Sequence, residues 1–128
     1  MKAFAHSMLA IGGLLLALAA ALGAIEVHVL APHLSAAELA TFDTALRYQF
    51  FNAPGLLAIG LFARSAGGSL IRISGWLVAL GVVLFSGSLY LHVVGAPRLI
   101  GVLTPVGGVA LISGWVIFAL GAWRSKGG

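Results

Sequence analysis

The chain contains no cysteine. That excludes disulfides, thiolate nucleophiles and cysteine-ligated metal sites, and it leaves the redox compartment open. Charge is almost as scarce. Asp and Glu together number three and Lys and Arg seven, 8% of the residues, where a soluble domain carries about a quarter. The few charges lie almost entirely between four long apolar runs: Ser7–Leu30, Tyr48–Ala66, Ile73–Gly95 and Gly101–Trp123. Crossing the hydrocarbon takes about 20 mostly apolar residues in a helix, and three of the runs reach that length comfortably. These runs and their connections fill all 128 residues, so no soluble domain fits. The prediction is an all-α membrane protein with one domain, 1–128. Its four transmembrane helices cover about 7–30, 48–66, 73–95 and 101–123.

A net charge of +4 raises nucleic acid as a partner. The basic residues are scattered at the flanks of apolar runs, however, which is the pattern of membrane topology. Lys2, the run Met8–Leu18 and the small residues Ala19, Ala20 and Ala21 imitate a secretory signal. The run continues to Leu30, too long for a signal core, so an uncleaved first span is expected. With four spans, one face carries Lys2, Arg64, Arg72, Arg124 and Lys126, and the other only Arg47 and Arg98. The positive-inside rule then places both termini in the cytoplasm of a plasma (bacterial inner) membrane, with Trp123 at the inner interface.

The longest polar connection is His33–Gln49. Ser35-Ala36-Ala37-Glu38 has the pattern of a capping box. Leu39, Phe42, Leu46 and Phe50 recur at helical spacing, and Asp43 and Arg47 lie four apart. This predicts a short amphipathic helix in the first outer loop; a plain extension of span 2 fits the same pattern. Within span 2, either the helix begins near Tyr48 and kinks at Pro54, or Asn52 caps a shorter one. Thr104-Pro105 reads as N-cap and first residue of span 4.

Small residues recur every seven positions in each span: Ala10, Ala17, Ala24 and Ala31; Ala53, Gly60 and Gly67; Ser74, Gly81, Ser88 and Gly95; Gly107, Gly114 and Gly121. That period predicts close helix contacts in a compact left-handed bundle. Ile73-Ser74-Gly75-Trp76 recurs as Ile112-Ser113-Gly114-Trp115. The copies lie on spans of opposite direction and their surroundings do not align, so a duplicated unit is not the favoured reading.

Polar residues within spans are the best pointers to function. Glu26, His28, Tyr48, Gln49, Asn52, Ser86, Tyr90, His92 and Thr104 are all expected toward the outer side and form the candidate polar or ligand site. Glu26 needs a partner or a proton there, and His28, His92 and Arg98 are the candidates. Ser86 and Tyr90 share one face of span 3, while Ser88 and His92 share the other. No nucleophile–base pair, phosphate loop, nucleotide fingerprint or zinc motif is visible, so no enzyme, metal or cofactor is expected. A haem would have to use His28 and His92.

Several of these stretches together resemble one known family. They are Gly23-Ala24 with His28, Thr44-Ala45 with Tyr48-Gln49, Gly75-Trp76 with Leu84–Tyr90, and Thr104-Pro105 with Gly107-Gly108 and Gly114-Trp115. In order and content they resemble the small membrane proteins catalogued as domain of unknown function 423. That group includes YgdD-like inner-membrane proteins and a mitochondrial relative. The resemblance implies four spans and an inner-membrane location, and it implies no reaction. Where the family usually has glycine and histidine, this chain has Glu26 and Asn52. Three roles follow as expectations, the last of them a redox protein binding haem or quinone through His28 and His92. The first is a non-enzymatic accessory subunit or homo-oligomer working by helix packing. The second is a small-solute or proton carrier using the outer polar residues.

Overall fold

In a computed structural model the chain is described over residues 1–125, and Lys126 lies outside the described residues. Among these, every regular element is helical. Helix α1 spans Lys2–Ile25, α2 Ala36–Ser65, α3 Ser69–Val93 and α4 Leu103–Ser125. A π-helical turn, Glu26–Leu30, and a 3-10 turn, Ala31–His33, lead from α1 to α2. A second 3-10 turn, Arg98–Val102, leads into α4. The connection between α2 and α3 is a tight Gly67-Gly68 turn, with Gly68 at φ 133°, a conformation that L side chains rarely adopt.

Two local expectations are corrected. The connection between α1 and α2 holds no separate amphipathic helix: the capping box at Ser35 starts the same 30-residue helix that continues to Ser65. Ser35 Oγ accepts from the Glu38 amide at 3.1 Å, and the Ser35 amide donates to Glu38 Oε1 at 3.0 Å. Helix α2 runs through Pro54, which costs it one backbone donor, and Asn52 lies inside the helix and caps nothing. At the other connection, α4 starts one residue before Thr104. Thr104 and Pro105 therefore occupy the first turn, where a missing N–H needs no intrahelical partner.

Helix α1 packs on α2, α2 on α3 and α3 on α4, with α1 also touching α3. Aromatic side chains bring α4 onto α2: Phe62 and Phe118 meet edge to face at 5.5 Å, and Trp115 covers Gly55. The pair α2 and α3 thus forms the centre, flanked by α1 and α4. A continuous core of Met8, Leu56, Ile59, Ile71, Val78 and Val82 is sealed from the surroundings. A smaller cluster of Ala19, Phe42, Leu46 and Val93 closes the end near the α1–α2 connection.

The contact seams are lined by small residues. Ala53 and Gly60, then Ser74, Gly81 and Ser88, then Gly107, Gly114 and Gly121 are all buried. On α1 the seam differs from the seven-residue stripe: Ala10, Ala17 and Ala24 are exposed, and the buried series is Ala5, Gly12 and Ala19. The reason is backbone proximity. A Cβ at Gly12 would stand 2.9 Å from the Ala53 carbonyl, and one at Gly60 would stand 3.0 Å from the Ala5 carbonyl. So α1 and α2 approach reciprocally, each glycine admitting the other's backbone.

Three segments are long and apolar enough to cross a membrane by length and composition: Lys2–His33, Ser69–Val93 and Arg98–Ser125. Helix α2 falls short on composition, because Glu38, Asp43, Arg47, Gln49 and Asn52 dilute its first half. Gln49 and Asn52 are buried against the other helices, whereas Phe50, Phe51 and Leu61 of the same helix face outward.

Candidate functional site

Helix α2 is the hub of the polar residues, and two amides three positions apart make it so. Gln49 Nε2 donates to the Leu15 carbonyl of α1 at 2.8 Å, and Gln49 Oε1 accepts from the Tyr90 hydroxyl of α3 at 2.6 Å. Asn52 Nδ2 donates to the Tyr48 carbonyl one turn earlier at 2.7 Å, and Asn52 Oδ1 accepts from Trp115 Nε1 of α4 at 2.8 Å. Gln49 therefore ties α2 to α1 and α3, and Asn52 ties it to α4. Ser86 of α3 adds a bond to the Ala45 carbonyl of α2 at 2.7 Å, and Ser88 Oγ meets Thr104 Oγ1 of α4 at 2.5 Å. Ser86 and Tyr90 thus both turn toward α2, and Ser88 toward α4. Among the described residues, no buried side-chain nitrogen or oxygen lacks a partner.

Aromatic rings frame this lattice. Tyr48 stacks obliquely on Phe85 at 4.4 Å, and Phe42 on Tyr90 at 5.0 Å. A cavity of about 210 Å³ adjoins it between α1, α2 and α3. Gln49, Ser86 and Tyr90 border this cavity, and the remaining walls are Leu15, Leu18, Leu22, Val82, Val83 and Gly87. The polar atoms on its border already bond other helices, so the space offers a ligand mainly hydrocarbon contacts.

The charged candidates occupy the end beyond the lattice. Glu26, on the π-helical turn, is half-buried and faces Asp43 of α2 closely enough for their carboxyls to interact. Its electrostatic influence also reaches Tyr90. The expected partners were His28, His92 and Arg98, yet the neighbour that counts is Asp43. Glu26 lies seven residues after Ala19 and so continues the buried Ala5, Gly12 and Ala19 face of α1 that packs on α2, while His28 points away from it. His28, His92 and Arg98 are all exposed. Hydrogen bonds from the Ser35 amide and hydroxyl, with a smaller contribution from nearby His92, hold the Glu38 carboxyl below its ordinary range. Among the described residues, no three His, Asp or Glu side chains gather to hold a metal.

Sequence reasoning missed Trp115 and Asp43. A tryptophan within an apolar span carries an N–H that needs an acceptor, and that signal was available for Trp115. Asp43 gave none, because its role depends on which face of α1 packs on α2. The repeated Ser-Gly-Trp has no shared role: Gly75 admits Phe4 and Met8 and Trp76 is exposed, whereas Gly114 admits Val78 and Trp115 bonds Asn52.

Comparison with known proteins gives a consistent result. Residues 22–108 match the family described as "Protein of unknown function (DUF423)". The chain is 39% identical over 116 residues to a UPF0382 membrane protein of Staphylococcus saprophyticus, covering 89% of this chain and 94% of that one. It is 40% identical over 107 residues to a UPF0382 membrane protein of Haemophilus influenzae, covering 83% and 85%. The UPF0382 inner membrane protein YgdD of Escherichia coli K12 shares 39% over 112 residues, covering 83% and 81%. No solved structure matches.

Proposed function

The chain belongs to the DUF423 family of membrane proteins, and from that premise we propose that it is a packing module of the membrane. In this reading it is a non-enzymatic subunit, either a homo-oligomer or an accessory to other membrane proteins, working through its lipid-facing helices. All four helices span the bilayer. Helix α2 enters as the central span because its amides bond inward and Phe50, Phe51 and Leu61 meet lipid. The observation that carries the reading is the internal use of the polar residues. Gln49, Asn52, Ser86, Ser88, Tyr90 and Thr104 are each bonded within the chain, which braces the helices and leaves no open polar path. The outer faces of α1 and α4 remain apolar, with Leu14, Leu18, Ile112 and Val116 exposed, so lateral contact needs no rearrangement.

The test is gentle isolation of the tagged chain from its native membrane, followed by native gel and mass spectrometry. Stoichiometric companions or a defined oligomer support the module; a monodisperse lone monomer sinks it. The end bearing Lys2, Arg64, Arg72 and Arg124 faces the cytoplasm in this arrangement. Ser35→Cys should label from outside intact cells and Ser125→Cys should not; the reverse pattern would invert the topology.

One observation favours a second reading, a proton or small-solute carrier: the facing carboxyls of Glu26 and Asp43 beside Tyr90. Intramembrane carboxyls mark proton relays in transporters. In that case Glu26→Gln abolishes proton flux in reconstituted vesicles while the native complex, as isolated, is unchanged.

A further inference from the structure

Among the described residues, the end of the molecule that carries Lys2 has no Asp or Glu side chain to answer its bases. Lys2, Arg64, Arg72 and Arg124 are all exposed there. Every acidic residue of the chain, Glu26, Glu38 and Asp43, lies toward the opposite end. From Lys2 to Glu26 or from Arg64 to Asp43 is more than 20 residues of helix, about 30 Å or more at 1.5 Å per residue. Screening at physiological salt acts over about 8 Å, so the acids do not neutralise these bases.

The bases surround defined clefts. Lys2 and His6 of the first turns of α1 and Arg64 of the last turn of α2 line a cavity of about 270 Å³, with Met1, Ala5 and Ala63 as its apolar wall. At about 30 Å³ per water, it has room for roughly nine waters, enough for a phosphate group. A second cleft, of about 290 Å³, lies under the Gly67-Gly68 turn and is bordered by Ser69, Arg124 and Ser125. Neither α1 nor α3 has a side-chain cap or an acidic residue in its first turn, so the positive ends of both helices add to the cations. Lys2 and Arg72 stand within those first turns, where a cation is disfavoured unless an anion answers it. Exposed Trp123 marks the same end as interfacial.

We infer that this end seats the phosphate headgroup of an anionic phospholipid, held in the α1–α2 cleft by Lys2 and Arg64, with its acyl chains along the exposed apolar side of α1. A lipid is favoured over a free anion because the cleft sits at the end of α1, a segment apolar enough to cross a membrane, and has its own apolar wall in Met1, Ala5 and Ala63. The inference rests on membrane insertion alone and does not depend on which subunits accompany the chain, nor on which leaflet the end faces.

The test uses the full chain in nanodiscs of phosphatidylcholine, with spin-labelled phosphatidylglycerol or spin-labelled phosphatidylcholine as probe. The immobilised fraction reads relative affinity. Phosphatidylglycerol should be preferred, and Lys2→Gln with Arg64→Gln should cut that preference about thirtyfold, at about fivefold per basic residue near a lipid surface. The charge-keeping pair Lys2→Arg with Arg64→Lys should retain it and shows that the fold tolerates change there. Arg47→Gln with Arg98→Gln, at the opposite end, should leave it unaltered. Inorganic phosphate should displace no more probe than chloride of equal ionic strength. The inference is overturned by absence of preference, by an equal loss in the Arg47 and Arg98 variant, or by displacement with inorganic phosphate beyond chloride.

Discussion

The two ends of the bundle handle polarity in opposite ways. At the end near the α1–α2 connection, polar groups find partners within the chain. Ser35 and Glu38 close the α2 N-terminus reciprocally, Glu26 faces Asp43, and Gln49, Tyr90, Ser86, Ser88 and Thr104 bond one helix to the next. At the end near the α2–α3 turn, two helix N-termini are uncapped and, among the described residues, the cations have no Asp or Glu side chain near them. The first end is complete as a protein. The second leaves its bases exposed, where anions of the surroundings would answer them. The contrast teaches that one small bundle divides its polar groups unequally, with internal partners at one end and exposed cations at the other.

The strongest way to sharpen this comparison is to place the same methyl group at each end of the α3–α4 seam. A Cβ at Gly107 would collide with the Phe85 backbone nitrogen, which cannot move without α3. A Cβ at Gly121 would meet Ile71 Cδ1 at 2.9 Å and Leu70 Cβ at 3.0 Å, and the isoleucine tip can rotate away. Overpacking of a rigid contact costs about 1–3 kcal/mol, while alanine gains about 1 kcal/mol over glycine in a helix. Gly107→Ala should therefore lose up to about 2 kcal/mol of unfolding free energy in mixed micelles. Gly121→Ala should stay within about 1 kcal/mol of wild type. Equal losses would mean that the two ends of the seam are equally rigid.

Next in size is the hub itself. Gln49→Leu removes two interhelical bonds, each worth about 0.6 kcal/mol on average and about 1.7 at most in a membrane. A loss of about 1–2 kcal/mol is expected, and in a double-mutant cycle with Tyr90→Phe part of it should vanish. Additive effects would show that the 2.6 Å contact between Gln49 and Tyr90 contributes nothing of its own.

Much of the fold was legible because the bilayer restricts the choices. Four apolar runs and the capping box at Ser35 correspond to observed features, whereas the Gly67-Gly68 turn is not legible, Gly67 reading only as part of a packing stripe. What was not legible depended on neighbours. Ala17 and Ala24 have the same size and spacing as Ala5, Gly12 and Ala19, and only the position of α2 decides which series is buried. Asn52 followed by Pro54 has the local chemistry of a helix start, but Trp115, 63 positions away in sequence, supplies the contact that keeps Asn52 inside a continuous α2. Glu26 announced itself as an anomaly, and its partner was hidden because the series Ala5, Gly12 and Ala19, which continues to Glu26, is shown to be the α2-facing side of α1 only by the packing. The polar residues were found by type, and the way they pair was set by packing.

The cap at Ser35 gives a smaller and pH-dependent effect. Ser35→Ala should cost about 1 kcal/mol. The Glu38 carboxyl titrates below its ordinary value near 4.5, because the Ser35 amide and hydroxyl favour its charged form. A lowered folded value means that its contribution is fully present above the unfolded value and disappears as pH falls through the folded one. Wild type should therefore lose melting temperature below about pH 4.5 by more than a Glu38→Gln variant does. Parallel melting curves from pH 7 to pH 3 would remove the cap from the account of the self-sufficient end.

The smallest expected effects lie at the basic end, and their signs carry the information. In neutral surroundings, exposed substitutions alter stability by about 0.5 kcal/mol or less. Cations oppose the positive end of a helix and complement the negative end. Lys2, in the first turn of α1, should therefore be slightly unfavourable, and Arg64, in the last turn of α2, slightly favourable. In phosphatidylcholine nanodiscs Lys2→Gln should raise the melting temperature slightly and Arg64→Gln should lower it. Adding phosphatidylglycerol brings the anion that Lys2 lacks, so Lys2→Gln should then become the destabilising change. If Lys2→Gln destabilises equally in both lipids, Lys2 is serving the fold directly, and the two ends of the bundle do not differ in the way their charges suggest.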